Sequence, residues 1–159
     1  MTIRRMAFAA LALAPALALH AGPARAEAIV RLQNQERYLD TTANGLAGIK
    51  AYIELLGKSL APGLVLNVTV LHLQMAGRTD EFRPPLRIYS GATWPSMRLR
   101  YTLTRNGKVL ASGEERLGDT LYQQDAAARS SPDRLRYEKA MLRDWFSARF
   151  AAYRRRAGG

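Results

Sequence analysis

The chain has no cysteine and only two histidines among its 159 residues. Without a thiol there is no disulfide, no iron–sulfur cluster, no thiolate zinc site and no cysteine nucleophile. Stability must therefore come from packing alone. His20 lies in an N-terminal leader considered below, so His72 is the sole imidazole of the remainder. A lone histidine without a His or Cys companion argues against zinc, iron and copper, and the expected metal and cofactor content is none. No Gly-x-Ser-x-Gly elbow and no glycine-rich phosphate loop is present. A Ser–Lys nucleophile finds no evident partner among the four lysines, and His72 reads as a structural strand residue. Asp80-Glu81 and Glu114-Glu115 are adjacent acids that could meet a hard cation, but neighbours on a strand point to opposite faces, so Glu114-Glu115 does not make a site by itself, and both pairs read as solvated surface charge.

What is there begins with an export signal. Arg4 and Arg5 form a positive n-region, and Met6 to Ala18 is an uncharged run of 13 residues built mostly of Ala and Leu. A bilayer core of about 30 Å needs about 20 such residues, so this run is too short to span it. Pro15 and Gly22-Pro23 break the segment, and Ala24-Arg25-Ala26 supplies the small residues that a signal peptidase reads, which places cleavage between Ala26 and Glu27. An uncut membrane anchor is the alternative, and the length and the Ala-x-Ala site both oppose it. Twin-arginine export is a second one, disfavoured by the residues around Arg4-Arg5. The expected organisation is a signal peptide over 1–26, one domain over 27–153 and a basic Gly-ended tail over 154–159, with a periplasmic location and no transmembrane segment after cleavage.

The mature part would hold 133 residues, enough for one domain with a real core. Without Arg4, Arg5 and Arg25 it carries 21 basic residues, 17 of them arginine, against 13 acidic ones, a net of +8. Such a surface adheres to anionic matter: lipid head groups, lipopolysaccharide, acidic wall polymers and, in a test tube, nucleic acid, although no physiological nucleic acid is expected. The charges are scattered, which also suits a simple compositional bias toward arginine.

Along the chain, Ala28 to Leu32 reads as a first strand. Leu46, Ile49, Ile53, Leu56 and Leu60 recur at helical spacing, with Thr42 or Asn44 able to cap the start. Leu64 to Met75 is apolar on both faces near its middle, as a central strand is. Gly77 to Pro85 reads as a loop or irregular edge and Leu86 to Tyr89 as a short strand. Met97 to Thr104 alternates strictly and meets Asn106-Gly107, the pair suited to a tight hairpin turn, before Val109 to Arg116 returns. Leu117 to Ala128 reads as an irregular crossing. Ser131-Pro132 suggests a helix start, with Leu135, Met141, Leu142, Trp145, Phe146 and Phe150 on its apolar side. The fold class is α+β: two layers, an antiparallel sheet of about four to five strands with two amphipathic helices on one face, in the order strand, helix, strands, helix.

Several positions then fall into a pattern. Trp94-Pro95, Gly113-Glu114 with Asp119 and Tyr122, and Tyr137-Glu138-Lys139-x-Met141-Leu142 followed by Trp145-Phe146 resemble a bacterial family known as domain of unknown function 3016. The stretch Leu60 to Gly77, with Pro62-Gly63-Leu64 and Met75-Ala76-Gly77, is similar as well. The resemblance spans about Ala28 to Phe150. It implies a small exported protein of Gram-negative proteobacteria and carries no activity with it. His72 and Gln74 depart from the acidic residues expected before Ala76-Gly77.

The resemblance makes Trp94, Glu114, Asp119, Tyr122, Glu138 and Trp145 the candidate binding positions. Trp145 and its aromatic neighbours fit core packing, and Glu138 and Asp119 fit either an arginine pair or a backbone cap. No residue is assigned a catalytic role. The leading expectation is a non-enzymatic periplasmic binding or accessory protein of the cell envelope, its partner an anionic envelope component or another envelope protein. The alternative is an envelope hydrolase working through two carboxylates, drawn from Glu114, Asp119 and Glu138. A purely structural accessory is a third reading, and a cleft lined by Trp94 and Tyr89 would oppose it.

Overall fold

The computed structural model describes residues 25–33, 43–80, 82–83 and 86–155. The export signal thus lies outside the described residues except for Arg25 and Ala26, as do Thr42 and the tail beyond Arg155. The described elements are β1 (Glu27–Leu32), α1 (Ala43–Gly57), β2 (Leu64–Gln74), β3 (Arg78–Thr79), β4 (Arg87–Ile88), β5 (Ser96–Arg105), β6 (Lys108–Gly118), α2 (Ala126–Ser130) and α3 (Arg136–Phe150). The fold is α+β, a four-stranded sheet and a two-stranded ribbon with three helices.

The main sheet runs β1-β2-β5-β6. β2 is interior, as its two apolar faces require, but the sheet is mixed: β1 pairs with β2 in parallel, whereas β2–β5 and β5–β6 are antiparallel. This corrects the expectation of a wholly antiparallel sheet. The reason is α1, which carries the chain back along the sheet so that β2 starts at the same end as β1. The β5–β6 hairpin turns at Asn106 and Gly107, with φ of 50° and 76°, a left-handed pair that a glycine and an asparagine adopt at low cost.

Strand pleating sorts the side chains into two faces. Leu64, Leu66, Val68 and Val70 of β2 and Met97, Leu99, Tyr101 and Leu103 of β5 are buried in one core with Ile49 and Ile53 of α1 and Leu142, Trp145, Phe146 and Phe150 of α3. Both long helices therefore lie on the same face. Tyr101, Trp145 and Phe150 meet edge to face, with centroids 5.4 to 6.0 Å apart. Glu115 of β6 clamps α3 from the sheet edge: it accepts from Trp145 Nε1 at 2.9 Å and pairs with Arg149 at 2.7 Å. The opposite face carries Arg98, Arg100 and Glu114. An extra residue at Leu71 shifts the register so that His72 falls opposite Arg98 there.

Two local expectations change. α3 begins at Arg136 and not at Ser131-Pro132, because Ser131 and Asp133 side chains each cap a turn first: Ser131 Oγ accepts from the Asp133 N–H at 3.2 Å and Asp133 Oδ1 from the Leu135 N–H at 2.8 Å. The crossing after β6 contains α2, whose first turn is capped by Asp125 Oδ1 accepting from the Ala128 N–H at 2.9 Å. At the C-terminus, Arg154 bridges to Leu60 and the Arg155 N–H reaches the Ser59 carbonyl at 2.9 Å, so the start of the basic tail is tied to the end of α1.

Candidate anion-binding site

β2 ends at Gln74, and the chain leaves the sheet through Met75, Ala76 and Gly77, all buried. A buried backbone unit outside a sheet needs partners for its N–H and C=O. Two charged side chains supply them at Ala76. Glu138, in the first turn of α3, accepts the Ala76 N–H through Oε1 at 2.7 Å. Arg87, on β4, donates from Nε and Nη2 to the Ala76 carbonyl at 3.0 and 2.8 Å, and from Nη2 to that of Gly77 at 2.9 Å. Gly77 sits at φ 65°, and a Cβ there would meet the Ile88 carbonyl oxygen at 2.3 Å, so only glycine lets the β3–β4 ribbon fold back this closely.

Glu138 is only 1% exposed, and its second oxygen, Oε2, is buried with no partner. Burial pushes its carboxyl above the ordinary glutamate value; the N–H of Ala76 and the charges of Arg87 and Arg136 oppose that rise without cancelling it. Beside it Tyr89, Tyr122 and Tyr137 form a second small core with Ala76, Ala128 and Ala140. Tyr137 stands edge-on to Tyr122 at 4.7 Å and to Tyr89 at 5.2 Å. Gln123 Nε2 donates to the Tyr89 carbonyl at 3.0 Å and the Tyr122 hydroxyl at 3.2 Å.

On this platform lies Arg136. Its guanidinium carbon is 4.8 Å from the ring centres of both Tyr89 and Tyr137, a cation held by two aromatic rings. Nη1 donates to the Asp133 carbonyl at 3.3 Å, and Nε is buried without a partner. A desolvated guanidinium donor left unpaired costs about 1–3 kcal/mol. Arg136, Arg134, Arg83, Arg87, Leu86 and Tyr89 together line an open cleft of about 500 Å³. Asp80, the partner of Arg83, is 6% exposed and accepts from Arg83 Nε at 3.1 Å and from the Phe82 N–H at 3.0 Å. The described lining thus holds four arginines and a tyrosine wall, which suits the cleft to a phosphate, sulfate or carboxylate group.

The family described as Protein of unknown function (DUF3016) matches residues 28–148, most of the chain and all of this cleft. The chain belongs to that family. No curated protein and no solved structure matches it.

The DUF3016 signature positions do not converge on one pocket. Tyr122 packs in the small core that holds Ala76, and Glu138 accepts the Ala76 N–H, so both belong to the platform beneath the cleft. Trp145 is in the main core, bonded to Glu115. Trp94, 40% exposed, lies over Gly118 and does not line the cleft, which takes Tyr89 alone of that pair. Asp119 caps the turn after β6, with Oδ1 accepting from the Leu121 N–H at 3.0 Å. Glu114 is on the sheet's open face, where Arg100 first and Arg98 second hold its carboxyl below the ordinary glutamate value through hydrogen bonds. Glu114 and Glu138 thus lie on opposite sides of the sheet, so they cannot flank one glycosidic bond. Among the described residues no three acidic or imidazole side chains gather as a metal site, and no helix is long and apolar enough to cross a membrane.

Sequence reasoning missed Arg83, Arg87, Arg134 and Arg136. The available signal was Arg134-x-Arg136 directly ahead of Tyr137-Glu138, in a chain that uses arginine where lysine would serve a merely solvated surface.

Proposed function

We propose that this DUF3016 protein is exported, processed before Glu27, and works as a non-catalytic binding protein of the cell envelope. Its cleft takes the anionic group of an envelope component. The observation that carries this reading is Arg136: a guanidinium 4.8 Å from the ring centres of both Tyr89 and Tyr137, with no carboxylate among the described residues bonded to it, at the wall of a cleft with three more arginines. Export is supported by the leader, and by β1 opening at Glu27, where the expected mature chain begins.

The test has two parts. Cells producing the protein should yield it in the periplasmic fraction with Glu27 as its first residue, and inorganic phosphate should raise its melting temperature at low salt. Cytoplasmic retention with an intact N-terminus would overturn the export half. A melting temperature that phosphate leaves unmoved, while ionic strength is held constant, would overturn the binding half.

A further inference from the structure

The arm built on β3 and β4 carries apolar side chains that none of the described residues covers. Phe82 is 93% exposed, Leu86 50% and Ile88 38%, all on an arm outside the main sheet. Isolated exposed apolar residues are ordinary, but several on one short arm mark a docking surface. The antiparallel register puts Arg78 opposite Ile88 and Thr79 opposite Arg87. Because Arg87 points inward to the Ala76 and Gly77 carbonyls, Arg78 and Ile88 share the outward side. Arg78, Phe82, Arg83 and Ile88 border one concavity of about 350 Å³, and Arg83 also borders the anion cleft. Of the two acids between residues 78 and 88, Asp80 and Glu81, Asp80 is buried on Arg83 and the Phe82 N–H.

We propose that this arm docks on an anionic lipid surface, with Phe82, Leu86 and Ile88 entering the headgroup–acyl boundary while Arg78 and Arg83 meet lipid phosphates. Aromatic and aliphatic groups beside arginine are what an interfacial contact uses. The basic balance of the chain adds long-range attraction to such a surface. A second copy of the chain is the poorer occupant, since a two-fold contact through this arm would set Arg78 and Arg83 against their own equivalents. The inference does not depend on the anion cleft being occupied, so either can fail alone.

The test is co-sedimentation with vesicles of phosphatidylglycerol and phosphatidylethanolamine, against vesicles of phosphatidylcholine alone. The protein is taken as the cell yields it, and comparison among variants cancels any contribution from residues 1–26. It should sediment with the anionic vesicles and be released as salt rises. Phe82→Ser should lower the partition by about tenfold, equivalent to about 1.4 kcal/mol, and Arg78→Glu should weaken binding and flatten its salt dependence. Leu55→Ser, which removes an equally exposed leucine from α1, should leave the partition unchanged. Absence of sedimentation would overturn the proposal, and so would Phe82→Ser behaving as wild type or Leu55→Ser losing as much. Phe82 packs on nothing that its loss could unfold, so a null result reports on docking.

Discussion

Replacing Glu138 with alanine should destabilise the protein by about 3 kcal/mol, from an orphaned buried N–H (about 1–3 kcal/mol) and the space left by the side chain. The N–H is that of Ala76, which has Glu138 Oε1 as its acceptor at 2.7 Å in a part of the chain closed to solvent. Glu138→Gln keeps an acceptor at Oε1 and should fold with a smaller loss. The two variants therefore separate the hydrogen bond from the charge. Burial raises the folded carboxyl above its unfolded value, so the folded state holds this proton more tightly than the unfolded chain does. The contribution of Glu138 is accordingly greatest below the unfolded glutamate value and declines as pH rises through it toward the folded one. Urea denaturation between pH 4 and 8 should show the stability gap between wild type and Glu138→Gln moving in favour of glutamine as pH rises. A gap that stays flat would contradict a carboxyl raised by burial.

Two aspartates act in the opposite sense. The Ala128 N–H, chiefly, and Arg143 hold Asp125 below the ordinary aspartate value. At Asp133 burial alone would raise the carboxyl, but Lys139 and the Leu135 N–H outweigh it and the net shift is downward. A depressed carboxyl contributes stability that is present above its unfolded value and lost as pH falls through the folded one. Acid should therefore weaken α2 and the entry to α3, while a rise in pH works against Glu138.

Arg136→Ala should lower phosphate affinity by at least about tenfold, the loss of one charge-assisted contact of about 1.5–3 kcal/mol, while changing stability little. The separation follows from what Arg136 contributes in each state. Its two ring contacts stabilise the unliganded fold by about 0.5–1 kcal/mol each, but its unpaired buried Nε costs a comparable amount. These nearly cancel in the unliganded fold. Arg136→Lys retains a charge but not the forked guanidinium donors, and its affinity should fall between those of wild type and the alanine variant. Calorimetric titration of phosphate into the three proteins at fixed ionic strength checks this order. Equal affinities would move the site elsewhere; a collapse of stability in the alanine variant would make Arg136 a structural residue.

Much of the fold was legible because its signals are local. Met97 to Thr104 alternates, Asn106-Gly107 turns, and Ile49, Ile53, Leu142 and Phe146 repeat at helical spacing, so the hairpin and both long helices follow from short-range rules. The parallel pairing of β1 was not legible, since strand direction depends on how a helix carries the chain across the sheet and leaves no mark in either strand. The start of α3 was misread because Ser131-Pro132 imitates a helix entry, while the chain spends Ser131 and Asp133 on two capped turns.

The site was legible only by halves. Tyr122 and Glu138 stood out through the family resemblance and both flank Ala76, but as the buried platform and not as the binding surface. The arginines above them come from β4, the loop after β3 and the entry to α3, distant in sequence and alike in composition with every other arginine of a basic chain. What singles out Arg136 is three-dimensional: two rings around it, and no bonded carboxylate.

That property can be read directly. In nitrogen-15 NMR of the arginine side chains, titration with inorganic phosphate at constant ionic strength should shift the Arg136 Nε–H signal most, with saturation, accompanied by Tyr89 and Tyr137 ring resonances and leaving Arg98 and Arg100 on the open face unmoved. Shifts that are largest at Arg98 and Arg100, or that grow without saturating across all arginines alike, would contradict a dedicated anion cleft.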